Sequence, residues 1–236
     1  MKYEKYKKDL DYTYCLGITL TFELLQKRPK DLLDVYYHSS FNGEAKEKLT
    51  KLLKQFGKNP IESDKIFNIV ASKENVYVIG IFKKYNTKLQ SNNHIVLVNP
   101  SNAGNLGTII RTSCGFGIHD IVIIKPCVDP FDPKTIRASM GAIFNTNIKL
   151  YDSFEDYKKE FSNYNYYPFM LKAKTKLHQT NFTTPYSLIF GNEATGLPDN
   201  FLEYNSVIIA HSNNIDSLNL PNAVSIAIYE ATKNNY

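Results

Sequence analysis

Hydrophobic positions along the chain fall into short blocks whose period changes repeatedly, which predicts strands alternating with helices. Among the first 90 residues, 22–27 has helical spacing and 32–37 reads as a strand. Segment 45–56 sets leucines on one face and lysines on the other, and 75–82 is an apolar strand. That is the pattern of a small α/β domain with one basic helical face. Farther on, apolar runs predict strands at 94–98, 120–124, 147–150, 167–171, 187–190 and 206–209, with helices at 105–115, 133–139, 153–162 and 221–233. Continuous apolar strands alternating with helices predict an α/β fold with a parallel sheet covered on both faces. The stretch 84–93 holds few residues able to pack, so it reads as a connection between two domains, 1–88 and 89–236.

Composition narrows this picture. A chain of 236 residues with 43% hydrophobic content can fill a sizeable core. No apolar run is long enough to span a membrane, and no apolar signal core follows the charged start, so secretion is not expected. Cys15, Cys114 and Cys127 are odd in number and lack metal-ligand spacing, which fits reduced thiols and a cytoplasmic location. The net charge of +5 is uneven: residues 1–90 carry 17 Lys and Arg against 11 Asp and Glu, leaving +6 there and −1 in the remainder. Lys2, Lys5, Lys7, Lys8, Lys46, Lys48, Lys51, Lys54 and Lys58 contribute, and such a basic half favours a polyanion partner, RNA or DNA. Only Arg28, Arg111 and Arg137 are arginines, so each is better explained by its fork of donors than by bulk charge.

Ligands on parallel sheets bind where loops leave the carboxyl ends of strands. Three such loops carry small or amide residues. The first is Asn99-Pro-Ser-Asn-Ala-Gly-Asn-Leu-Gly-Thr-Ile-Ile-Arg111, and the second is Phe190-Gly-Asn-Glu-Ala-Thr-Gly-Leu-Pro198. The third runs from Ile209 through Asp216-Ser-Leu-Asn-Leu-Pro-Asn-Ala-Val224. A phosphate-binding Gly-x4-Gly-Lys-Ser/Thr loop is absent, and Gly104-Asn-Leu-Gly107 lacks the first glycine of the dinucleotide fingerprint, which disfavours NAD. His38, His94, His119, His178 and His211 are scattered, so no metal site is expected.

In this order, the three loops resemble the motifs of the SpoU (TrmH-like) RNA 2′-O-ribose methyltransferases of the SPOUT superfamily. The resemblance covers roughly 94–236, and 17–85 is more loosely similar to that family's ribosomal-protein-like RNA-binding domain. It implies S-adenosylmethionine as cofactor, RNA (tRNA or rRNA) as substrate, a deep trefoil knot and a homodimer. Residue by residue, it implies a catalytic set of Asn102, Arg111, Glu193, Ser217 and Asn219. It implies cofactor contacts at Phe190, Gly191, Asn192, Ile209 and Leu218, and RNA contacts at Arg137 and Ser139. Arg111 is expected to stabilise a developing alkoxide, because a guanidinium does not give up its proton.

After Ile209 the chain departs from the family's Pro, Met and, two residues on, Gly: it has Ala210, His211 and Asn213. That departure motivates an alternative, a non-catalytic RNA-binding or ribosome-assembly protein on the same fold. Singly, each site residue has an ordinary structural explanation. Arg111 could pair with a carboxylate on a helix surface, Glu193 could stabilise the helix that follows it, Asn102 could serve a turn, and Ser217 could cap a helix near 221. Their joint fall on one family's pattern favours the enzyme.

Overall fold

Two sheets organise the chain, whose computed structural model describes residues 3–70, 75–90 and 92–235. Lys2 and Ser91, within the basic segment and the connecting stretch, lie outside them. The first part runs β1 (Tyr12–Leu16), α1 (Ile18–Lys27), β2 (Leu32–Tyr37), α2 (Glu44–Lys54), β3 (Ile61–Glu62), α3 (Asp64–Val70) and β4 (Val78–Lys83). Its four strands lie in the order β1-β4-β2-β3, antiparallel except for β2 with β3. β4 is internal because Val-Ile-Gly-Ile-Phe is buried along its length. A Cβ on its Gly80 would stand 3.1 Å from Thr21 Oγ1, so the missing side chain lets α1 lie close to the sheet.

The second part runs β5 (His94–Val98), α4 (Ala103–Gly115), β6 (Asp120–Ile124), α5 (Pro133–Ala138), β7 (Asn147–Tyr151), α6 (Phe154–Glu160), β8 (Asn165–Pro168), β9 (Thr175–Lys176), β10 (Tyr186–Phe190), β11 (Val207–Ile208) and α7 (Leu220–Thr232). Five of these strands form an all-parallel sheet in the order β7-β6-β5-β10-β8. Alternate residues serve opposite faces. Ile95, Leu97, Ile121, Ile123 and Leu188 join the core beneath α4 and α7, while Val96, Val98, Val122, Ile124 and Ile189 pack with Phe154 and Phe201. The sheet is therefore covered on both sides, as the unbroken apolar strands require.

Three expectations need correction. The strand expected at 167–171 spans Asn165–Pro168 instead. Pro168 has no N–H for the ladder, and beyond it the chain changes partner: Met170 N–H donates to the Val207 carbonyl at 2.9 Å. The strand expected at 206–209 is two residues long and pairs with β9, outside the main sheet. The stretch 84–93 is no free connection. Tyr85, Thr87 and Leu89 are half-buried and alternate with exposed Asn86, Lys88 and Gln90. The Thr87 hydroxyl accepts from Ile148 N–H (2.7 Å) and donates to the Ile148 carbonyl (3.1 Å), fastening this segment along the edge strand β7. β1 and α3 carry no expectation from the sequence pattern.

The two parts also share a core. Phe82 of β4 meets Phe144 (ring centroids 5.3 Å apart) and Phe131 (6.3 Å). The Arg28 guanidinium lies 4.2 Å above the Tyr85 ring, and Tyr85 donates to the Ile143 carbonyl at 3.1 Å. A well-shielded Lys84–Asp129 pair at 2.8 Å completes the seam.

Candidate functional site

The first loop turns sharply after β5. Asn99 takes the left-handed conformation (φ 54°), which asparagine tolerates better than most side chains. Asn102 then caps α4, its Oδ1 accepting from Asn105 N–H at 3.0 Å. The ordinary reading of Asn102 as a turn residue gives way to that of a helix cap, since its carboxamide serves the helix start.

Glu193 binds this loop to the second one. One of its oxygens accepts from the Ser101 amide (3.1 Å) and hydroxyl (2.8 Å), the other from the Asn102 amide (3.2 Å) and Asn105 Nδ2 (3.2 Å). Burial opposes ionisation of this carboxyl, but the donors outweigh it and hold Glu193 below the usual carboxylate range. Glu193 does stabilise a helix N-terminus, but it is that of α4, far earlier in the chain, rather than one that follows it. Asn192 adds a second tie, donating to the Asn99 carbonyl at 2.8 Å while its Oδ1 accepts from the amides of Ala194 and Thr195. A Cβ on Gly191 would fall 2.2 Å from the carbonyl carbon of Gly196, and Gly196 itself has φ +68°. The turn closes on itself so tightly that no side chain fits at 191.

These turns border a cavity of about 340 Å³, at the low end of small-molecule sites. Phe190, Gly191, Asn192 and Glu193 line it from the second loop, and Ile209, His211, Ser217 and Leu218 from the third. Phe169, Met170, Leu171 and Lys172, which follow β8, form a further wall, with the Phe169 ring stacked on Phe190 at 4.6 Å. The sequence pattern misses these four residues as site residues because it places the first three in a strand and gives Lys172 no role; the proline inside the apolar run is the available signal.

Other expected residues are placed differently. Asn219 caps α7 without a side-chain hydrogen bond, so its amide is uncommitted there, and Ser217 is not that helix's cap. Arg111 does not line the cavity. It lies nine residues past the α4 cap, about 13 Å along the helix axis. It is exposed, with no hydrogen bond or ion pair among the described residues, so the carboxylate-paired reading fails. Arg137 is exposed in the last turn of α5. Ser139 is fully buried and its hydroxyl donates to the Ile136 carbonyl at 2.8 Å, so it supports the α5 backbone and cannot reach an RNA phosphate.

A parallel α/β sheet whose strand-end turns border a cavity of small-molecule size, joined to a second sheet that carries a basic helix, defines the class: an α/β protein with a ligand site at its strand ends. A family model described as the SpoU rRNA Methylase family matches residues 92–229. The chain belongs to that family. An uncharacterised tRNA/rRNA methyltransferase of Synechocystis is 31% identical over 146 residues, covering 60% of this chain and 53% of that protein. A 23S rRNA (uridine(2479)-2′-O)-methyltransferase of Streptomyces viridochromogenes is 28% identical over 149 residues, covering 57% of this chain and 50% of that one. The chain thus spans about half the length of these curated relatives. Among solved structures, an AdoMet-bound rRNA methyltransferase from Sinorhizobium meliloti matches 96% of this chain and 88% of its own, with TM-score 0.81 and 25% identity. The likeness in fold therefore extends over the N-terminal sheet, beyond the reach of the sequence matches.

Proposed function

We propose that this chain transfers a methyl group from S-adenosylmethionine to a ribose 2′-hydroxyl of structured RNA, transfer or ribosomal. The observation that carries the reading is the cavity bordered by the second and third loops and tied to the first through Glu193. Its residues fit the cofactor: apolar side chains (Phe190, Ile209, Leu218) suit a flat purine, and the uncovered backbone of two turns offers hydrogen bonds to its edges. When bound, the cofactor supplies a methyl group activated by a sulfonium.

The chain's own residues hold the geometry in which such a transfer is fast. Glu193 and Asn192 fix the turns, so cavity and α4 keep one spacing; alignment of this kind is worth about 7–11 kcal/mol of a bimolecular barrier. Ser217, which lines the cavity, and Asn219, two residues on at the start of α7, orient the ribose. Arg111 stabilises the oxygen as it loses its proton, and its fork of donors also suits the adjoining phosphate. Because Arg111 stands away from the cavity of its own chain, we assign this role to Arg111 of a second copy in a homodimer. The exposed face of α7 beside α4, with Ile226 41% and Tyr229 58% exposed, supports that assembly. The knot implied by the resemblance is part of the same reading, as is the cytoplasm, where three free thiols are stable. Lys48, Lys51 and Lys54 on the exposed face of α2, with Arg137, receive the RNA backbone.

Incubation with methyl-labelled S-adenosylmethionine and total RNA tests this. The expected product is a nucleotide whose 3′ linkage resists alkali, as a 2′-O-methyl group requires. Arg111→Lys keeps the charge but loses the fork, and turnover is expected to fall at least about 100-fold with cofactor binding unchanged. Cofactor binding without any RNA methylation would favour the non-catalytic alternative.

A further inference from the structure

His211 lines the cavity where the family pattern has methionine, and one contact sets the tautomer of its neutral ring. Nδ1 lies 2.9 Å from the Ile209 carbonyl. A carbonyl only accepts, so Nδ1 carries the proton in the neutral ring and Nε2 keeps its lone pair. Nε2 has no protein partner among the described residues. Adding a proton there leaves the bond to Ile209 intact. The ring stays in place, and the cavity wall gains a positive charge without changing shape.

Other charged groups around the cavity are Glu193, held ionised by its four donors, and Lys172 with Asp199, paired at 2.7 Å on the exposed rim. Asp216, exposed on the same loop, adjoins Ser217. Carboxylates and lysines as classes do not change charge between about pH 5.5 and 7.5, whereas imidazole does. The two forms of a methyl donor differ in the same currency. S-Adenosylmethionine carries a sulfonium beside its amino-acid zwitterion, a net single positive charge, whereas S-adenosylhomocysteine is neutral.

We propose that His211 is a charge-selecting residue of this cavity: with a neutral ring the wall admits the cationic donor, and with a protonated ring it favours the uncharged product. The inference rests on the methyl-transfer reading above but concerns a step that reading leaves open, the exchange of product for donor. Since like charges several ångströms apart in a partly solvated site repel by about 1 kcal/mol, the effect is about 3- to 10-fold in affinity.

Calorimetry of the full chain with each ligand at about pH 7.5 and 5.5 tests it. The dissociation constant of S-adenosylmethionine is expected to rise about 3- to 10-fold on acidification, and that of S-adenosylhomocysteine by less than about 2-fold. In His211→Gln, and in His211→Asn should the first variant fold poorly, the ratio of the two constants is expected to be the same at both pH values. A donor-to-product ratio that does not move with pH in the unaltered protein would overturn the proposal, as would a shift of equal size in both variants. If neither ligand binds at either pH, the methyl-transfer reading itself is wrong and this inference goes with it.

Discussion

At the scale of single residues, Glu193 shows how one carboxylate can join segments far apart in the chain. Four donors from 101–105 converge on it, and nothing in the local sequence around 193 announces them. The consequence is a pH dependence with a definite sign. Its folded pKa lies below the unfolded value, so its contribution to stability is present above the unfolded carboxylate pKa of about 4.3 and fades as pH falls through the folded value. Glu193→Gln is therefore expected to lower the denaturant midpoint at about pH 7, and the gap from the unaltered protein should narrow below about pH 4. A gap that stays constant from neutral pH down to about pH 3 would mean that the charge plays no part. Ser139 gives the opposite lesson: its position in a motif is legible, but its burial is not, because that follows from how α5 packs on α4. Gly107 makes that packing possible, since a Cβ there would lie 2.4 Å from the Thr135 carbonyl.

At the scale of elements, helices and main-sheet strands are readable because each buries one face or both, and burial writes a period into the sequence. α2 is the clearest case. Leu49 and Leu53 are fully buried while Lys48, Lys51 and Lys54 face outward. Replacing those three lysines by glutamine is expected to weaken RNA binding and to flatten its dependence on salt, by about 0.7–0.9 in log–log slope for every phosphate no longer neutralised. Filter binding at a series of salt concentrations measures this; an unchanged slope would remove α2 from the RNA surface. The elements whose pattern misleads, β8, β11 and the segment 84–90, are edges and ribbons. In β8 and β11 the chain exchanges one hydrogen-bonding partner for another, and along 85–90 only alternate residues are half-buried. Tyr-Asn-Thr-Lys-Leu-Gln at 85–90 does alternate, but its polar residues hide the pattern until Tyr85 and Thr87 find their partners across the seam.

For the molecule as a whole, composition indicates two parts, and the structure joins them. The largest cluster of buried side chains runs from Leu20, Leu24 and Phe82 into Leu106, Ile136 and Phe144 without a break. Phe82 sits at that seam, so Phe82→Ala is expected to cost about 3–5 kcal/mol and to destabilise both parts together. Thermal unfolding followed by calorimetry should show one transition in the unaltered chain. Two well-separated transitions, with only the first shifted by the substitution, would show that the parts unfold independently. A shared core also holds the basic helix α2 at a set distance from the cavity, so the N-terminal sheet is packed against the second part rather than tethered to it.

From the order of its residues alone, this protein's α/β class, its parallel sheet, its three strand-end turns and its kinship with RNA 2′-O-methyltransferases could be read. Periodicity and motif spacing are local properties, and a linear chain records them. The convergence of the second and third of those turns on one cavity, the Glu193 tie that binds the first to it, the wall supplied by 169–172, the burial of Ser139 and the isolation of Arg111 were decided only by the tertiary structure. Each depends on the meeting of segments distant in sequence, and such meetings leave no period behind.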